Sequence, residues 1–568
     1  MLKGIAASSG IVIAKAYKLQ QPHLEIVRRH GEATTEIDKL HAAIIKTQKD
    51  IEMIKLKATG KLSDEDVAIF DAHLMLTSDP EFTGEMEAMI KRDGVNAEFA
   101  TQEVSQHFIQ MFESMEDAYF KERAADIKDV SFRLQCHILN ITLPDLSLIN
   151  EEVIIVANDL TPSDTAQLNK QFIKGFATQI GGRTSHSAIM ARSLEIPAVL
   201  GITGLLESIK HNDLLILDAL EGLVIINPND AEIKHYEVEI KNYTQLKALL
   251  SVLKDAQSIT TDQHSVELVA NIGTPNDVDS VLSNGGEGVG LYRTEFLYMD
   301  AKSLPSEDEQ YTAYKTVLEK MKDKPVVIRT LDIGGDKELS YLPIPHEMNP
   351  FLGYRAIRLC LDRKDIFKTQ VRALLRASTY GRLCIMFPMI ATLDEFREAK
   401  SFVLDTEKEL LAEGIEVAQK YEIGMMVEIP AAAVLADQFA YEADFLSIGT
   451  NDLIQYSMAA DRMSEKVSYL YQPLNPSLLR LIKMTIDGAH SQGKWCGMCG
   501  EMAGDVLAIP LLIGLGLDEF SMSASSILQA RQIVRSLSYQ DMQGLANQAL
   551  TLKTSSEVID LVKNNLKK

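Results

Sequence analysis

A histidine between a glycine pair and an apolar run is the first group in the chain that could do chemistry. The stretch Gly181–Met190 reads Gly-Gly-Arg-Thr-Ser-His-Ser-Ala-Ile-Met, and His186 lies within it. Thr184 and Ser185 are good N-cap residues for the helix-compatible run that follows. We therefore expect His186 near a helix N-terminus, where free N–H groups and the helix dipole favour an anion. A neutral imidazole there could act as a nucleophile and receive a phosphoryl group, although a lone histidine is more often structural or a cap.

A second set of chemical groups lies in the C-terminal half of the chain. Four arginines stand in conspicuous short motifs, and guanidinium groups bind phosphate and carboxylate through paired hydrogen bonds. Their convergence would suit a small, densely anionic substrate. The alternative is that each arginine pairs with a surface acid. The four are Arg293, Arg329, Arg355 and Arg462.

Two carboxylates and a thiol complete this set. Glu428 and Asp452 end consecutive apolar runs, and two hard oxygen ligands, together with substrate oxygens, are the usual way to hold Mg²⁺; an ion pair at the rim is the alternative. Cys499 ends another run, where a thiol could act as a general acid towards an enolate. Cys496 precedes the end of that run and fits an inert, buried cysteine. The two cysteines have CxxC spacing, but no second pair accompanies them, so we predict no zinc site.

The elements that must position these groups repeat eight times in the C-terminal half. Short apolar runs alternate with helix-like stretches over about 310 residues, which predicts a (β/α)₈ TIM barrel. Barrel enzymes place their site at the C-terminal ends of the strands, and most of these runs end in polar groups. The predicted strands are Val266–Asn271, Gly288–Glu295, Val326–Asp332, Leu383–Met389, Gly424–Glu428, Phe445–Asp452, Lys494–Glu501 and Glu519–Ser523.

Strand patterns also occur in the N-terminal part, where a helical block interrupts them. Residues 3–18 alternate and predict a strand or a hairpin, and strand-like runs return from Val153 to Ile226. Between about Glu25 and Leu139, apolar residues recur at helical spacing, which predicts four or more helices. We therefore interpret the helical block as an insertion into one α/β domain.

A long amphipathic helix is predicted from Asp230 to Gln257, at a position typical of a linker. The chain thus reads as a multidomain α/β protein. Its predicted parts are an α/β domain that carries His186 (1–22 and 146–227), an inserted all-helical domain (23–145), a linker helix (228–257) and a TIM barrel (258–568).

Composition and charge narrow the class of protein. The 568 residues are 46% hydrophobic and 24% charged, as is typical of a soluble globular chain. A formal net charge of −23 argues against nucleic acid as a partner and favours a basic protein. The first residues lack an apolar segment long enough for a signal or membrane helix, so no membrane insertion is expected. Five cysteines, a sparse and odd number, favour a reduced, cytoplasmic setting.

Several stretches together resemble one enzyme family. The His186 stretch is similar to the phosphohistidine signature shared by enzyme I of the bacterial sugar phosphotransferase system, pyruvate phosphate dikinase and phosphoenolpyruvate synthase. The chain as a whole, from Gly4 to the C-terminal helices, resembles the enzyme I family of phosphoenolpyruvate–protein phosphotransferases. The other motifs that carry the resemblance are Gly288–Tyr298, Arg329–Lys337, Asn349–Arg358, Glu428–Pro430, Ser447–Leu453 and Gly497–Gly504.

This resemblance implies a role for each candidate residue. His186 would accept the phosphoryl group of phosphoenolpyruvate, with Thr165 near its ring. Glu428 and Asp452 would hold Mg²⁺, and Cys499 would protonate the enolate to pyruvate. The residues implied to bind the substrate are Arg293, Arg329, Arg355, Asn451, Asp452 and Arg462.

The resemblance also implies protein partners. The inserted helices would bind the phosphocarrier protein HPr through an acidic and apolar face, a composition that suits a basic partner and a fast, transient encounter. The barrel would form a homodimer. The implied HPr-binding residues are Asp64, Glu65, His73, Met75, Leu76, Asp79, Glu81 and Arg123.

Two other functions stay open at this point. An ATP-using dikinase or synthase would carry a large ATP-binding domain, whereas this chain has only the helical block in that place and no P-loop. A binding or signalling scaffold descended from such an enzyme would be expected to have lost its nucleophile or a metal ligand. Here the histidine, both carboxylates and the thiol are all present.

Overall fold

The computed structural model divides the chain into two compact units, Met1–Leu246 and Lys247–Lys568. The finer division into four parts stays a prediction. The structure describes residues 1–19, 22, 24–58, 64–113, 118–165, 167–182, 185–194, 196–299, 301, 303–335, 337, 339, 341–461 and 464–566.

The N-terminal unit contains a mixed sheet of eight strands in the order β1-β8-β7-β3-β4-β5-β6-β2. Neighbours from β3 to β6 are parallel, and the remaining pairs are antiparallel. All five residues of β4 are buried, as expected of an apolar run at the centre of a covered sheet. The strands are β1 (Leu2–Lys3), β2 (Ile5–Ser8), β3 (Ile11–Lys18), β4 (Val153–Ala157), β5 (Ile173–Thr178), β6 (Ala198–Leu200), β7 (Leu214–Asp218) and β8 (Leu223–Ile226).

The strand prediction for residues 3–18 is confirmed, but the hairpin alternative is wrong. Strand β2 pairs with β6 at one edge of the sheet, whereas β3 pairs with β4 and β7 in the middle. Alternation of side chains indicates a strand, but it does not specify which neighbour the strand will choose.

Five α-helices occupy the described residues between β3 and β4, in agreement with the predicted helical block. Their shared core includes Leu40 and Phe82. The apolar residues that recur at helical spacing in the first helix are buried only in part, because Ile45 and Leu56 are exposed. Each lies five positions beyond a buried residue, Leu40 or Ile51, which is about 140° around a helix of 3.6 residues per turn. The helices are α1 (Ala33–Ala58), α2 (Asp64–Ser78), α3 (Pro80–Asp93), α4 (Ala97–Glu113) and α5 (Ala118–Leu139).

Three short α-helices and one long α-helix complete the described residues of the N-terminal half of the chain. The short ones are α6 (Pro162–Thr165), α7 (His186–Ser193) and α8 (Leu205–Ser208), and the long one is α9 (Asp230–Ser251). Helix α9 confirms the predicted long helix but ends six residues earlier than expected. Beyond it the N–H groups of Leu253, Lys254 and Ala256 donate to carbonyls three residues back, as in turns.

The C-terminal unit is a closed barrel of eight parallel strands, as predicted. The strands are almost entirely buried because helices cover their outer faces. They are β9 (Glu267–Ile272), β10 (Val289–Arg293), β11 (Pro325–Arg329), β12 (Arg382–Phe387), β13 (Glu422–Val427), β14 (Phe445–Ile448), β15 (Trp495–Met498) and β16 (Glu519–Met522).

Fourteen α-helices accompany the barrel strands or follow the last of them within the described residues. Their apolar faces pack with the outer faces of the strands into one continuous core. They are α10 (Asp277–Ser283), α11 (Glu295–Met299), α12 (Glu307–Met321), α13 (Ile357–Asp362), α14 (Lys364–Ala377), α15 (Leu393–Ala412), α16 (Pro430–Val434), α17 (Ala436–Glu442), α18 (Thr450–Met458), α19 (Pro476–Ser491), α20 (Ala508–Leu515), α21 (Ile527–Ser536), α22 (Tyr539–Ala549) and α23 (Ser555–Leu566).

Across the described ranges of both units, no helix has the length and apolar character that a membrane crossing requires. All five cysteines are buried and unpaired.

Candidate active site

A cavity of about 610 Å³ lies at the C-terminal ends of the barrel strands. Seven of the residues predicted from the sequence line it, and each belongs to the end of a strand or to the segment that follows. Arg462, the remaining predicted arginine, lies outside the described residues. The seven are Arg293, Arg329, Arg355, Glu428, Asn451, Asp452 and Cys499.

Buried carboxylates hold Arg329 in place. Its Nη2 lies 2.6 Å from Glu295 Oε1, and its Nη1 lies 3.0 Å from Asp332 Oδ2. Lys337 shares both acids, with Nζ 2.9 Å from Glu295 Oε1. Burial alone would raise the pKa of Glu295, but Arg329 and Lys337 outweigh it and hold the pKa below its usual value. Arg329 therefore faces the cavity as a charged and oriented group.

Arg355 is fixed in the same way. Its Nη2 lies 3.0 Å from Asp332 Oδ1, its Nη1 lies 3.5 Å from Asp452 Oδ1, and the same nitrogen donates to the Tyr456 hydroxyl at 3.3 Å. Only 3% of the side chain is exposed. The surface ion pairs considered as an alternative from the sequence are therefore absent for Arg329 and Arg355, because the acids that they meet are buried in the cavity wall.

Arg293 differs from these two arginines. It ends β10, is half-buried and lines the cavity, yet no carboxylate in the described part of the chain pairs with it. A charge removed from water without a partner is costly. An anionic ligand in the cavity would remove that cost.

Glu428, directly after β13, and Asp452, in the first turn of α18 after β14, face the same cavity. Burial, followed by the charges of Asp452 and Asp332, raises the pKa of Glu428 to about 8. Glu428 Oε1 accepts a hydrogen bond of 2.6 Å from the N–H of Met389, a residue with a positive φ of 57°. Two crowded carboxylates, one of which has a raised pKa, are suited to a cation between them.

The charges of the cavity wall agree with a cation. Carboxylates outnumber basic groups among its described residues, so without a metal the wall offers an anionic substrate no net positive charge. The described ranges contain no group of three or more His, Cys, Asp and Glu side chains that could hold a metal ion, in this cavity or elsewhere. The basic residues are Arg293, Arg329, Lys337 and Arg355, and the acidic ones are Glu295, Asp332, Glu428, Asp452 and Glu501.

Cys499 lies immediately after β15, with its Sγ 3.8 Å from the carbonyl oxygen of Ile448. Burial raises the pKa of the Cys499 thiol to about 11, against smaller opposing effects of Ser447 and Arg329. The thiol therefore keeps its proton at neutral pH. Cys496 is buried and is not among the residues that line the cavity.

Four charged residues of the cavity were not assigned a role from the sequence: Glu295, Asp332, Lys337 and Glu501. Glu295, Asp332 and Lys337 orient the arginines rather than form a recognisable pattern of their own. A further polar contact fixes Asn451, whose Oδ1 accepts a hydrogen bond of 3.1 Å from the Tyr471 hydroxyl. Spacing in the sequence could have identified two of these residues, because Glu295 follows Arg293 by two residues and Asp332 follows Arg329 by three.

The histidine stretch has the predicted local structure. Helix α7 begins at His186, and Ala188 N donates to Ser185 Oγ at 3.4 Å, the pattern of an N-cap. Gly181, with φ of 115°, adopts a backbone conformation that favours glycine. Thr184 and the imidazole of His186 lie outside the described part of the chain.

Helix α6 packs against α7, and a residue that precedes α6 contacts the first turn of α7. Thr165, at the end of α6, is fully buried, and its Oγ1 donates to Thr161 O at 3.1 Å. Asp159, which the sequence did not single out, contacts Ser187. Burial raises the pKa of Asp159 above its usual value.

The predicted partner-binding residues differ in how far they are exposed to solvent. Met75 is 74% exposed, Asp79 and Glu81 lie at the surface where Asp79 caps α3, and Leu76 is half-buried. His73 contradicts the prediction of a direct contact, because only 1% of it is exposed. The side chains of Asp64 and Glu65 lie outside the description.

Asp126 connects two of the predicted partner-binding residues beneath this surface. Its Oδ1 lies 3.1 Å from His73 Nε2, and its Oδ2 lies 3.1 Å from Arg123 Nη1. Arg123, on α5, is half-buried and is therefore more exposed to solvent than His73.

Comparisons with known proteins agree with this arrangement. Three descriptions of PEP-utilising enzymes match the chain: the N-terminal region at residues 3–123, the mobile domain at 149–222 and the PEP-binding domain at 247–539. The phosphoenolpyruvate-protein phosphotransferase of Priestia megaterium is 57% identical over 564 residues, which cover 99% of this chain and 98% of that one. The protein of the same name from Bacillus subtilis (strain 168) is 57% identical over 567 residues, 100% of each chain.

A solved structure titled as an NMR solution structure of Enzyme I (nEIt) is 45% identical to the region that it matches. It covers 43% of this chain and 100% of its own, with a TM-score of 0.40. Both curated relatives share more than half of their residues with this chain over nearly the full length of each protein, and this degree of identity shows the family. The chain belongs to the PEP-utilising enzymes and, among them, to the phosphoenolpyruvate-protein phosphotransferases.

Proposed function

We propose that this phosphotransferase moves the phosphoryl group of phosphoenolpyruvate to its own His186 and then to a histidine of HPr. Pyruvate is released, and the reaction is the first step of the sugar phosphotransferase system. The observation that carries the proposal is the cavity at the barrel mouth, in which separately predicted arginines, carboxylates and a thiol share about 610 Å³.

The arginines account for substrate binding. Phosphoenolpyruvate carries a phosphate and a carboxylate, and guanidinium groups hold both kinds of anion. Arg329 and Arg355 are oriented before substrate arrives, so little reorganisation is needed at the moment of transfer. Arg293 has no partner in the described chain and gains one from the ligand. Arg462 and Asn451 are assigned to the same clamp.

Glu428 and Asp452 would hold Mg²⁺. When bound, the ion supplies positive charge beside the substrate oxygens, which favours both phosphoryl transfer and the departing enolate. The raised pKa of Glu428 supports this assignment, since a cation would let both carboxylates stay ionised side by side.

The transfer itself needs one nucleophile and one proton. A nitrogen of His186 attacks phosphorus, the bond from phosphorus to the enolic oxygen breaks, and the bonding electrons leave with the pyruvate enolate. The Cys499 thiol then gives its proton to the terminal enolate carbon, which yields pyruvate and a thiolate that water reprotonates. Helix α7 offers free N–H groups at its start for the phosphoryl oxygens, with Thr165 nearby.

The second half of the reaction would take place at the inserted helices. Met75, Leu76 and the surface acids Asp79 and Glu81 offer an apolar centre with negative charge around it, which suits a basic phosphocarrier. His73, being buried, would hold Asp126 and Arg123 in place beneath this face. We also propose a homodimer through the barrel, from the family alone, and a cytoplasmic location, which the five unpaired cysteines support.

One labelling experiment tests the proposal. The full-length protein should take acid-labile label from phosphoenolpyruvate in the presence of Mg²⁺ and pass it to HPr, and His186→Ala should lose both steps because the acceptor is gone. Label on the variant would contradict the assignment of His186. Label from ATP instead of phosphoenolpyruvate would favour the dikinase or synthase alternative.

A further inference from the structure

A second, smaller cavity opens at the N-terminal ends of the barrel strands, opposite the mouth that holds Arg293 and Cys499. It measures about 250 Å³. Five of the residues around it are the first residues of their strands, and none has a role in the proposed phosphotransfer. They are Glu267, Pro325, Arg382, Trp495 and Glu519.

The carboxyl group of Glu519 stands out among them. Only 2% of the residue is exposed, and its Oε1 atom has no hydrogen-bond partner in the described part of the chain. Gly497 on the neighbouring strand leaves room for this group, because a Cβ there would lie 2.8 Å from Glu519 Oε1. A buried carboxyl without a partner costs free energy, so the position is suited to a group that the chain itself does not supply.

The charged neighbours of Glu519 are already engaged with other groups. Arg382 donates from Nη2 to Glu422 Oε1 at 2.9 Å. Asp518 Oδ2 pairs with His490 Nε2 and accepts from Cys496 N, both at 2.8 Å. Glu267 adds a further negative charge at the rim. The lining therefore has an excess of negative charge, and its basic residue, Arg382, is already paired.

One wall of the cavity is aromatic. The indole of Trp495 stacks on Phe445, with ring centroids 4.4 Å apart and planes 4° apart, and its Nε1 donates to Glu422 Oε2 at 2.9 Å. Pro325 and Val266 supply further apolar surface. An aromatic wall beside an unpaired carboxylate is the setting in which proteins bind organic cations.

The size and the arrangement favour an organic cation over a metal ion. Among the described residues, no three acids converge as a metal would require. A cavity of roughly 150 Å³ in a protein can hold benzene, so this one has room for a short alkyl chain with a charged end. The geometry points to a binding site for a small primary ammonium compound, with its alkyl part against Trp495 and its charged end on Glu519.

Binding should be linked to proton release. Burial first, and then the charges of Glu267 and Glu422, raises the pKa of Glu519 to about 8, with Arg382 opposing and Asp518 adding to the shift. Below that pH the carboxyl group is neutral and must lose a proton before it can pair with an ammonium group. If the ionised fraction limits binding, the affinity should rise about twentyfold from pH 6.5 to pH 8.5.

The test uses n-propylammonium chloride as the probe and the full-length protein. Saturation-transfer NMR titrations at pH 6.5 and 8.5 compare the parent with Glu519→Gln, which keeps the size of the side chain and removes the charge. Glu398→Gln is the matched control, because Glu398 is an exposed barrel glutamate paired with Lys364. We expect saturable binding that strengthens with pH in the parent and in the control, and at least a tenfold loss in Glu519→Gln.

Phosphorylation by phosphoenolpyruvate reports whether Glu519→Gln is folded, since that chemistry is assigned to the other end of the barrel. If this variant does not fold, Glu267→Gln at the rim should still weaken binding severalfold. Unchanged binding in a folded Glu519→Gln, or no saturable binding to the parent at pH 8.5, would overturn the proposal. So would equal binding of 1-propanol, which lacks the charge, or equal competition by sodium ions, which lack the alkyl chain.

Discussion

The arginines of the active-site cavity differ in how firmly neighbouring carboxylates hold them. Arg329 and Arg355 are each held by two buried carboxylates, whereas Arg293 has no such partner in the described chain. Oriented charges stabilise a transition state without first having to reorganise. An unpaired and half-buried guanidinium instead gains most when an anion arrives. The cavity thus combines a fixed frame with one group that is free to respond to the substrate.

Replacement of Cys499 by Ala should slow the formation of pyruvate by about two to four orders of magnitude, the usual contribution of a general acid. Transfer from phosphorylated enzyme to HPr should change little, because the thiol acts only on the carbon skeleton. With a pKa of about 11, the thiol keeps its proton from pH 7 to 9, so its ionisation should not reduce the rate there. Deuterium exchange into the methyl group of pyruvate and single-turnover transfer to HPr measure the two half-reactions.

Cys496→Ala is the control for this prediction. Its thiol is buried outside the cavity, so both half-reactions should stay close to normal. An equal loss of both half-reactions in Cys499→Ala would mean that Cys499 has only a structural role.

Replacement of Glu428 by Ala should reduce phosphorylation of His186 at least a hundredfold, since an ion beside the substrate contributes several kcal/mol to transition-state stability. The variant should also need a higher Mg²⁺ concentration for half-maximal labelling. Rates are measured by labelling from phosphoenolpyruvate across a Mg²⁺ titration. A normal rate at low Mg²⁺ would place the metal elsewhere.

At the scale of secondary-structure elements, the contact between α5 and α6 joins the inserted helices to the α/β region within the N-terminal unit. Ser163 N donates to Asp129 Oδ2 at 3.3 Å, and Asp164 accepts from Thr161 N at 3.1 Å. Burial, followed by the charge of Asp129, raises the pKa of Asp164 to about 6. This contact is therefore sensitive to pH in the mildly acidic range.

Asp164→Asn should stabilise that contact at pH 7. In the unfolded chain the aspartate ionises near pH 4, but in the folded chain it keeps its proton until about pH 6. Folding stability therefore falls as the pH rises from 4 to 6, and the cost is fully present above 6. Asparagine avoids this cost and can still accept from Thr161, so we expect a gain of about 1–2 kcal/mol at pH 7. Amide hydrogen exchange of α5 and α6 in variant and parent at the same pH measures the gain.

The gain should shrink towards pH 4, where the parent carboxyl is protonated in both states. Equal protection of the two proteins at pH 7 would show that the folded surroundings do not raise the pKa of Asp164.

The elements that the sequence predicted well are those in which local pattern and burial coincide. The eight barrel strands are buried on both faces, so their apolar runs are distinct, and Arg293 and Arg329 lie at observed strand ends. The pairing of β2 was not predictable, because strand partners depend on distant parts of the chain. The same holds for Glu295 and Asp332, whose function depends on which arginines the fold brings to them. Burial of His73 also depends on tertiary packing, since an amphipathic pattern does not specify how deeply a helix is covered.

At the scale of the whole molecule, the proposed reaction uses groups that belong to different units. His186 lies in Met1–Leu246, and the cavity of the phosphoryl donor lies in Lys247–Lys568. The proposed HPr-binding face belongs to the inserted helices of the first unit. One imidazole cannot contact the donor and HPr at the same time, so the reaction requires at least two arrangements of the chain.

Helix α9 contains the boundary between the two units, and its ends are natural hinge positions. We predict one state in which His186 reaches the barrel cavity and another in which it faces the HPr site. Phosphoenolpyruvate with Mg²⁺ should favour the first state, because only there do they meet His186. Spin labels on Lys210→Cys and Lys408→Cys, both at exposed positions, report the distance between the units, and the five native cysteines are buried. We expect at least two distance populations whose ratio shifts on addition of phosphoenolpyruvate and Mg²⁺, with a weaker shift in His186→Ala. One narrow distance that stays constant throughout turnover would rule out this movement.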